Sequence, residues 1–188
     1  MQAARGEAIA AHHEPTQPRP ARTGLLLALV AVVGYAIDQG TKQGALERLA
    51  DGDVPLVGDI LVLHLTTNPG AAFSTGTGHT WIFTVLAAVA AVVVVGLALR
   101  VRSRWWAVAL GFLLAGVAGN LTDRLVREPA FGRGHVIDFL MLPNWPVFNV
   151  ADVCINVAAG MILVAAFRGL RMDGSRVRDD VEHPGEQA

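Results

Sequence analysis

WIFTVLAAVAAVVVVGLAL, residues Trp81–Leu99, runs for nineteen positions without a charged side chain. At about 1.5 Å per helical residue it reaches roughly 28 Å, close to the ~30 Å hydrocarbon core of a bilayer. The whole chain agrees with that reading: 53% of its 188 residues are apolar and its mean hydropathy is +0.45, too apolar for an ordinary soluble domain. A small helical membrane bundle is the expected class.

Outward from this segment, three further spans follow the same logic. WWAVALGFLLAGVAGNL (Trp105–Leu121) and VADVCINVAAGMILVAAF (Val150–Phe167) carry polar residues near one end. GLLLALVAVVGYAI (Gly24–Ile37) follows a basic segment as a signal-peptide core would, but no small-x-small cleavage pattern comes after it. It is read as an uncleaved first helix continuing through Asp38 and Lys42 to about Ala45, since 14 residues alone would not cross. The expectation is a polytopic α-helical membrane protein of four transmembrane helices, with residues 24–170 as the membrane domain. Polar tails at 1–23 and 171–188 are expected to be disordered.

The basic residues orient the bundle. Of 15 Lys and Arg, ten lie in the N-terminal tail, in the connection between helices two and three, at Arg100, Arg102 and Arg104, and after helix four, at Arg168, Arg171, Arg176 and Arg178. The positive-inside rule then predicts cytoplasmic termini and external 1–2 and 3–4 connections. A net charge of -1 gives no basis for a nucleic-acid partner. Cys154 is the lone cysteine, in an apolar run, and reads as packing; the six histidines show no metal-ligand spacing.

Between helices one and two, VPLV and ILVLHLTTN flank Gly58-Asp59, which predicts a hairpin and a small extracytoplasmic β-sheet cradle over about 51–78. NPGAAFSTGTG is its expected flexible return to helix two.

Ionisable groups in spanning sequence are expensive and read as functional by default, an Asp at mid-helix costing ~2.5–3.5 kcal/mol. In the predicted topology Asp38, Asp123, Asp138 and Asp152, with Asn68, Asn120 and Asn149, all fall near the outer interface. Asp138 and Asp152 are 14 positions apart, yet Pro143 and Pro146 forbid one continuous helix between them. The chain must turn in MLPNWPVF and re-enter with Asn149 as a cap and Asp152 in the first helical turn, so the two carboxylates can meet. Sharing one proton, such a pair would supply a general base for water and an acid toward a peptide oxygen. The alternative from the same spacing is a capping Asp152 and an Asp138 paired with an arginine such as Arg133. Likewise Asp38 and Lys42, at i,i+4, read either as a surface ion pair or as part of a supporting network with Asn120, Asp123 and Arg124. A further alternative uses the carboxylates as the relay of a small proton-coupled transporter.

DQGTK (38–42), TTNPGAAF (66–73), GNLTDR (119–124), VIDF (136–139) and WPVFNVADVCI (145–155) together resemble, in order, the motifs of bacterial lipoprotein signal peptidase, the signal peptidase II family. The resemblance implies a multi-pass inner-membrane aspartic endopeptidase with both termini cytoplasmic and its active site on the extracytoplasmic side. Its substrate would be a lipid-modified prolipoprotein, cut just before the diacylglyceryl cysteine. The implied catalytic pair is Asp138 and Asp152; Asp38, Lys42, Asn68, Gly70, Asn120, Asp123, Arg124 and Asn149 take the family's supporting or substrate-binding positions. No metal or cofactor is implied. Membrane lipids are its surroundings and a monomer is expected.

Overall fold

The computed structural model describes residues 20–70 and 80–177. Four helices, α1 (Pro20–Arg48), α2 (Thr80–Ala98), α3 (Arg104–Val126) and α4 (Val150–Phe167), are each long and apolar enough to cross a membrane. Three strands, β1 (Val54–Val57), β2 (Leu61–Asn68) and β3 (Val136–Met141), form an antiparallel sheet in the order β1-β2-β3.

Helix α3 is the centre of the bundle because one flank of it is nearly bare. Gly111, Ala115, Gly116 and Gly119 are buried along it at helical spacing. A Cβ on Gly111 would strike Val30 and the Leu27 carbonyl of α1. One on Gly116 would strike the Ala151 carbonyl of α4, and one on Gly119 the Asp38 carboxylate of α1. Small residues therefore let three helix backbones approach closely, the usual basis of helix association where lipid removes the hydrophobic drive. At the other end, Leu27, Val94, Val101, Ala107 and Leu110 form an apolar cluster joining α1, α2 and α3.

The sheet departs from the sequence reading. A hairpin was expected between α1 and α2, and β1 and β2 form it; the third strand, β3, comes from the α3–α4 connection. It pairs with β2 so that Thr66 faces Asp138 and Asn68 faces Val136. Phe139 packs onto Ala45 and Leu49 at the end of α1, tying sheet to bundle. Beyond β3 the chain closes quickly: Phe139 and Leu140 donate their N–H groups to the Phe148 carbonyl, and Phe148 N–H returns to the Leu140 carbonyl. The tight loop puts α4 beside the strand that precedes it. Residues 71–79, which include all but the first three residues of the expected return NPGAAFSTGTG, lie outside the described residues, as do 1–19 and 178–188.

The tail boundaries also move. Helix α1 starts at Pro20, inside the segment expected to be a tail, with proline at the position whose missing N–H costs a helix nothing. Helix α4 ends in a Schellman motif: Gly169 has φ 61, its N–H reaches the Ala166 carbonyl, and Leu170 N–H reaches Ala165. Residues 171–177, expected to be disordered, instead form a turn. Its Met172 carbonyl accepts the N–H groups of Arg102 and Ser103 just before α3, and Trp106 Nε1 donates to the Leu170 carbonyl. Two backbone donors that open α3 thus find an acceptor there.

Candidate active site

The polar residues assemble where β3, the N-terminus of α4 and the ends of α1 and α3 converge. Asn149 caps α4 in a reciprocal box: its Oδ1 accepts from Asp152 N–H at 3.0 Å, and Asp152 Oδ2 accepts from Asn149 N–H at 3.2 Å. With its oxygen committed to the helix, the Asn149 amide presents Nδ2 outward. That group donates to Asp138 Oδ1 at 2.5 Å and to Asn120 Oδ1 at 3.2 Å. Asn68, diagonal to Asp138 across the β2–β3 pair, donates to Asp138 Oδ2 at 3.0 Å. Asn120 Nδ2 donates to Asp152 Oδ1 at 2.9 Å.

All four oxygens of Asp138 and Asp152 therefore accept a hydrogen bond, and every donor is a neutral N–H. No ammonium or guanidinium bonds directly to either acid among the described residues. The Arg133 pairing open to Asp138 on spacing alone is not formed; Arg133 is exposed, while Asp138 is buried against Asn68 and Asn149. The capping reading of Asp152 is realised, and its second oxygen is left for Asn120 and the cavity.

Cationic charge stands one layer back. Lys42 is fully buried and its three N–H groups meet three acceptors: Asp38 Oδ2 at 2.9 Å, Asp123 Oδ2 at 2.8 Å and Asn120 Oδ1 at 3.0 Å. Asp38 and Lys42 are thus an interior pair, not the surface pair that i,i+4 spacing also allowed. Asp38 Oδ1 accepts the Ala151 N–H at 2.8 Å, one of the orphan donors at the start of α4. Asp123 accepts from Arg127 Nε at 2.6 Å and from the Ile137 N–H of β3 at 3.3 Å. The network thereby fixes both elements that carry the acid pair. Arg124 Nη2 donates to the Gly70 carbonyl at 2.6 Å and its guanidinium lies 5.3 Å from the Phe83 ring centroid. Gly70 N–H in turn donates to Asn68 Oδ1, which locks the amide that serves Asp138.

A cavity of about 780 Å³ opens over the pair, bordered by Asn68, Gly70, Asn120, Arg124, Asp138 and Asp152 on its polar side. Trp145, Phe148, Val153 and Val157 supply an apolar side. Eight of the ten residues singled out in the sequence sit in the wall or touch a residue that does; Asp38 and Asp123 reach it only through Lys42 and Asn120. Sequence reasoning missed Asn156, which also borders the cavity. Its signal was available: after Asp152 it is the only carboxamide or charged side chain in α4, four residues on and so on the same helical face.

Burial pushes the Asp138 carboxyl up to about 6. The Asn68 hydrogen bond opposes that rise, the nearby Asp152 carboxylate adds to it, and Asn149 and Lys42 oppose it further. Among the described residues no His, Cys, Asp or Glu cluster is arranged to hold a metal ion.

Known proteins agree with this architecture. Residues 30–168 match the family model for signal peptidase (SPase) II. Lipoprotein signal peptidase of Leifsonia xyli subsp. xyli is 48% identical over 83% of this chain and 73% of its own length. Those of Rhodococcus jostii and Mycobacterium avium are 45% and 43% identical, over 86% and 89% of this chain and 82% and 96% of theirs. Two solved bacterial membrane enzyme structures share the fold. One has a TM-score of 0.69 at 21% identity, covering 89% of this chain and 94% of that one; the other has 0.67 at 23%, covering 78% and 94%. With a matched segment that contains every residue of the polar network and relatives aligned over most of both lengths, the chain belongs to the signal peptidase II family.

Proposed function

We propose that this chain is an aspartic endopeptidase of the bacterial inner membrane that removes the signal peptide of a diacylglyceryl-modified prolipoprotein just before its lipidated cysteine. The observation that carries the reading is the wiring of Asp138 and Asp152. Both are held by amide donors alone, so neither is forced into the ionised state by a touching cation, and the two can share one proton.

The charge is assigned to Asp152, at the positive end of the α4 dipole, which leaves the shared proton to Asp138. The pair titrates as a unit. Asp152 takes a proton from water as the oxygen attacks the scissile carbonyl, while Asp138 gives its proton to the carbonyl oxygen. The tetrahedral diol then collapses. The proton gained by Asp152 goes to the departing amine and Asp138 recovers one from the diol hydroxyl, so acid, amine and the starting dyad are restored.

Substrate and fold match in chemistry. A signal peptide is an apolar helix, and the acyl chains of the lipidated cysteine add about 0.8 kcal/mol per CH₂ buried. The apolar wall that Trp145, Phe148, Val153 and Val157 give the cavity beside the polar network supports this pairing. The positive-inside rule puts the acid-pair end of the bundle outside the cytoplasm, with the working membrane domain running from α1 to the turn at 171–177.

Purified protein and a lipidated precursor, followed by product mass, test the reading. Asp138→Asn and Asp152→Asn should each abolish cleavage while inserting and folding. Full turnover by either variant, or equal turnover of unlipidated precursor, would sink it.

A further inference from the structure

Helix α4 is otherwise a lipid-type sequence after Asp152: VCINVAAGMILVAAF has Asn156 as its single carboxamide. That residue is exposed, one turn further into the span than Asp152, and borders the cavity over the acid pair. Its Nδ2 donates to the Asp152 carbonyl at 2.9 Å. This back-bond occupies one of the amide's four hydrogen-bonding positions. A carboxamide at an exposed place on a spanning helix is costly unless something polar meets it. Val153 and Val157 on either side are 41% and 40% exposed, so none of the described residues covers this face.

The reaction creates a polar group that would meet it. To bring a peptide bond to the dyad, the incoming apolar helix must unwind over a few residues, and each unwound residue in a lipid-bounded site bares an N–H and a C=O. Water satisfies those groups outside the membrane, but not one turn inside it. With one N–H spent on the back-bond, the Asn156 amide still offers its oxygen and one N–H, an acceptor and a donor as in a peptide unit.

We propose that Asn156 binds the backbone of the substrate on the N-terminal side of the scissile bond and so sets which bond reaches Asp138 and Asp152. The inference rests on the peptidase reading given above. Direction follows from depth: the signal helix lies deeper than the cleavage point, and Asn156 lies deeper than Asp152. Four helical residues advance about 6 Å. An extended chain covers that in about two residues, so the contact falls about two residues before the cut. Asn156 Oδ1 accepts the N–H there while its free N–H can serve a neighbouring carbonyl.

The test is a set of lipidated precursor peptides in which one backbone amide at a time, from one to four residues before the cut, is N-methylated. Each is assayed for KM and kcat with wild type, Asn156→Leu and Asn156→Ser. Each is also assayed for binding to the Asp138→Asn protein with and without Asn156→Leu. In wild type, methylation at a single position should raise KM by roughly 2- to 10-fold, the worth of one hydrogen bond. Asn156→Leu should show the same rise on the unmodified peptide and no further penalty at that position, with kcat little changed; Asn156→Ser should recover part of it. A wild-type KM for Asn156→Leu, or an equal methylation penalty in both proteins at every position, would overturn the assignment. The two readings fail separately: cleavage that survives Asp138→Asn removes the dyad chemistry, while the binding comparison still reports on Asn156.

Discussion

The Lys42 ammonium donates to Asn120 Oδ1 at 3.0 Å, and this fixes which end of the amide Asp152 receives. An ammonium can only donate, so Asn120 must turn its oxygen toward Lys42 and its Nδ2 toward Asp152. A buried charge therefore acts on the acid pair through one neutral amide. Lys42→Met should leave Asp38 Oδ2 and Asp123 Oδ2 facing each other with no cation between them, Arg127 remaining only on the far oxygen of Asp123. Breaking such a buried pair costs roughly 3–5 kcal/mol. Thermal unfolding in detergent should show a large loss of stability, and a wild-type transition would mean that the triad does not hold α1, α3 and α4 together.

Asp152 both caps α4 and faces the cavity, so two substitutions separate the roles. Asp152→Ala removes both acceptors of the Asn149 N–H and Asn120 Nδ2 donors; Asp152→Asn keeps one of them. The alanine variant should be the less stable by about 0.5–2 kcal/mol, the usual worth of a helix cap. Cleavage should be lost equally in both. Activity that tracks stability across the pair, with Asp152→Asn partly active, would reduce Asp152 to a cap.

The elevated Asp138 carboxyl makes a signed prediction for pH. Its folded value of about 6 lies above the ~3.9 of an unfolded aspartate. The folded state therefore binds the proton more tightly, and its contribution to stability, full below about pH 4, is lost as pH rises to about 6. In the catalytic reading the same deprotonation sets the alkaline limb of turnover. Asn68 favours the ionised form through its bond to Asp138 Oδ2, so Asn68→Ala should raise the carboxyl further and move that limb to higher pH. A limb that stays put or moves to lower pH in the rate profile contradicts the assignment of the proton to Asp138.

Four helices, the two acids and the Asn149 cap were legible because each is written locally, in uncharged runs long enough to cross, in prolines that forbid a helix, and in an asparagine three residues before an aspartate. Strand β3 was not. VIDFLM is buried along most of its length and shows no alternation, and its partner β2 lies some seventy residues earlier, so neither pattern nor neighbourhood marks it. The same distance hid the fate of Lys42. Spacing gives its pairing with Asp38, but only the close approach of α3 encloses the pair and adds Asp123. The turn at 171–177 depends on backbone groups of the α2–α3 connection, which carry no side-chain signature. Asn156 was written plainly and passed over because no motif includes it.

That close approach can be tested at glycine. On α3, a methyl at Gly116 would meet the backbone carbonyl of Ala151 and the side chain and N–H of Ile155. Backbone on the neighbouring helix cannot rotate away, so Gly116→Ala must push the first turns of α4 off α3 and draw Asp152 from Asn120. Overpacking of this kind costs typically about 1–3 kcal/mol. Activity should fall further than stability, because the displaced turn carries Asp152. Gly160, on the same helix α4 but with open space around its missing Cβ, supplies the control: Gly160→Ala should cost nothing in either measurement, since alanine is the better helix former. Unfolding temperature and cleavage rate measured for both variants decide the matter. Equal behaviour of the two would mean that the α3–α4 contact has slack at Gly116, and that the acid pair does not depend on how tightly these helices pack.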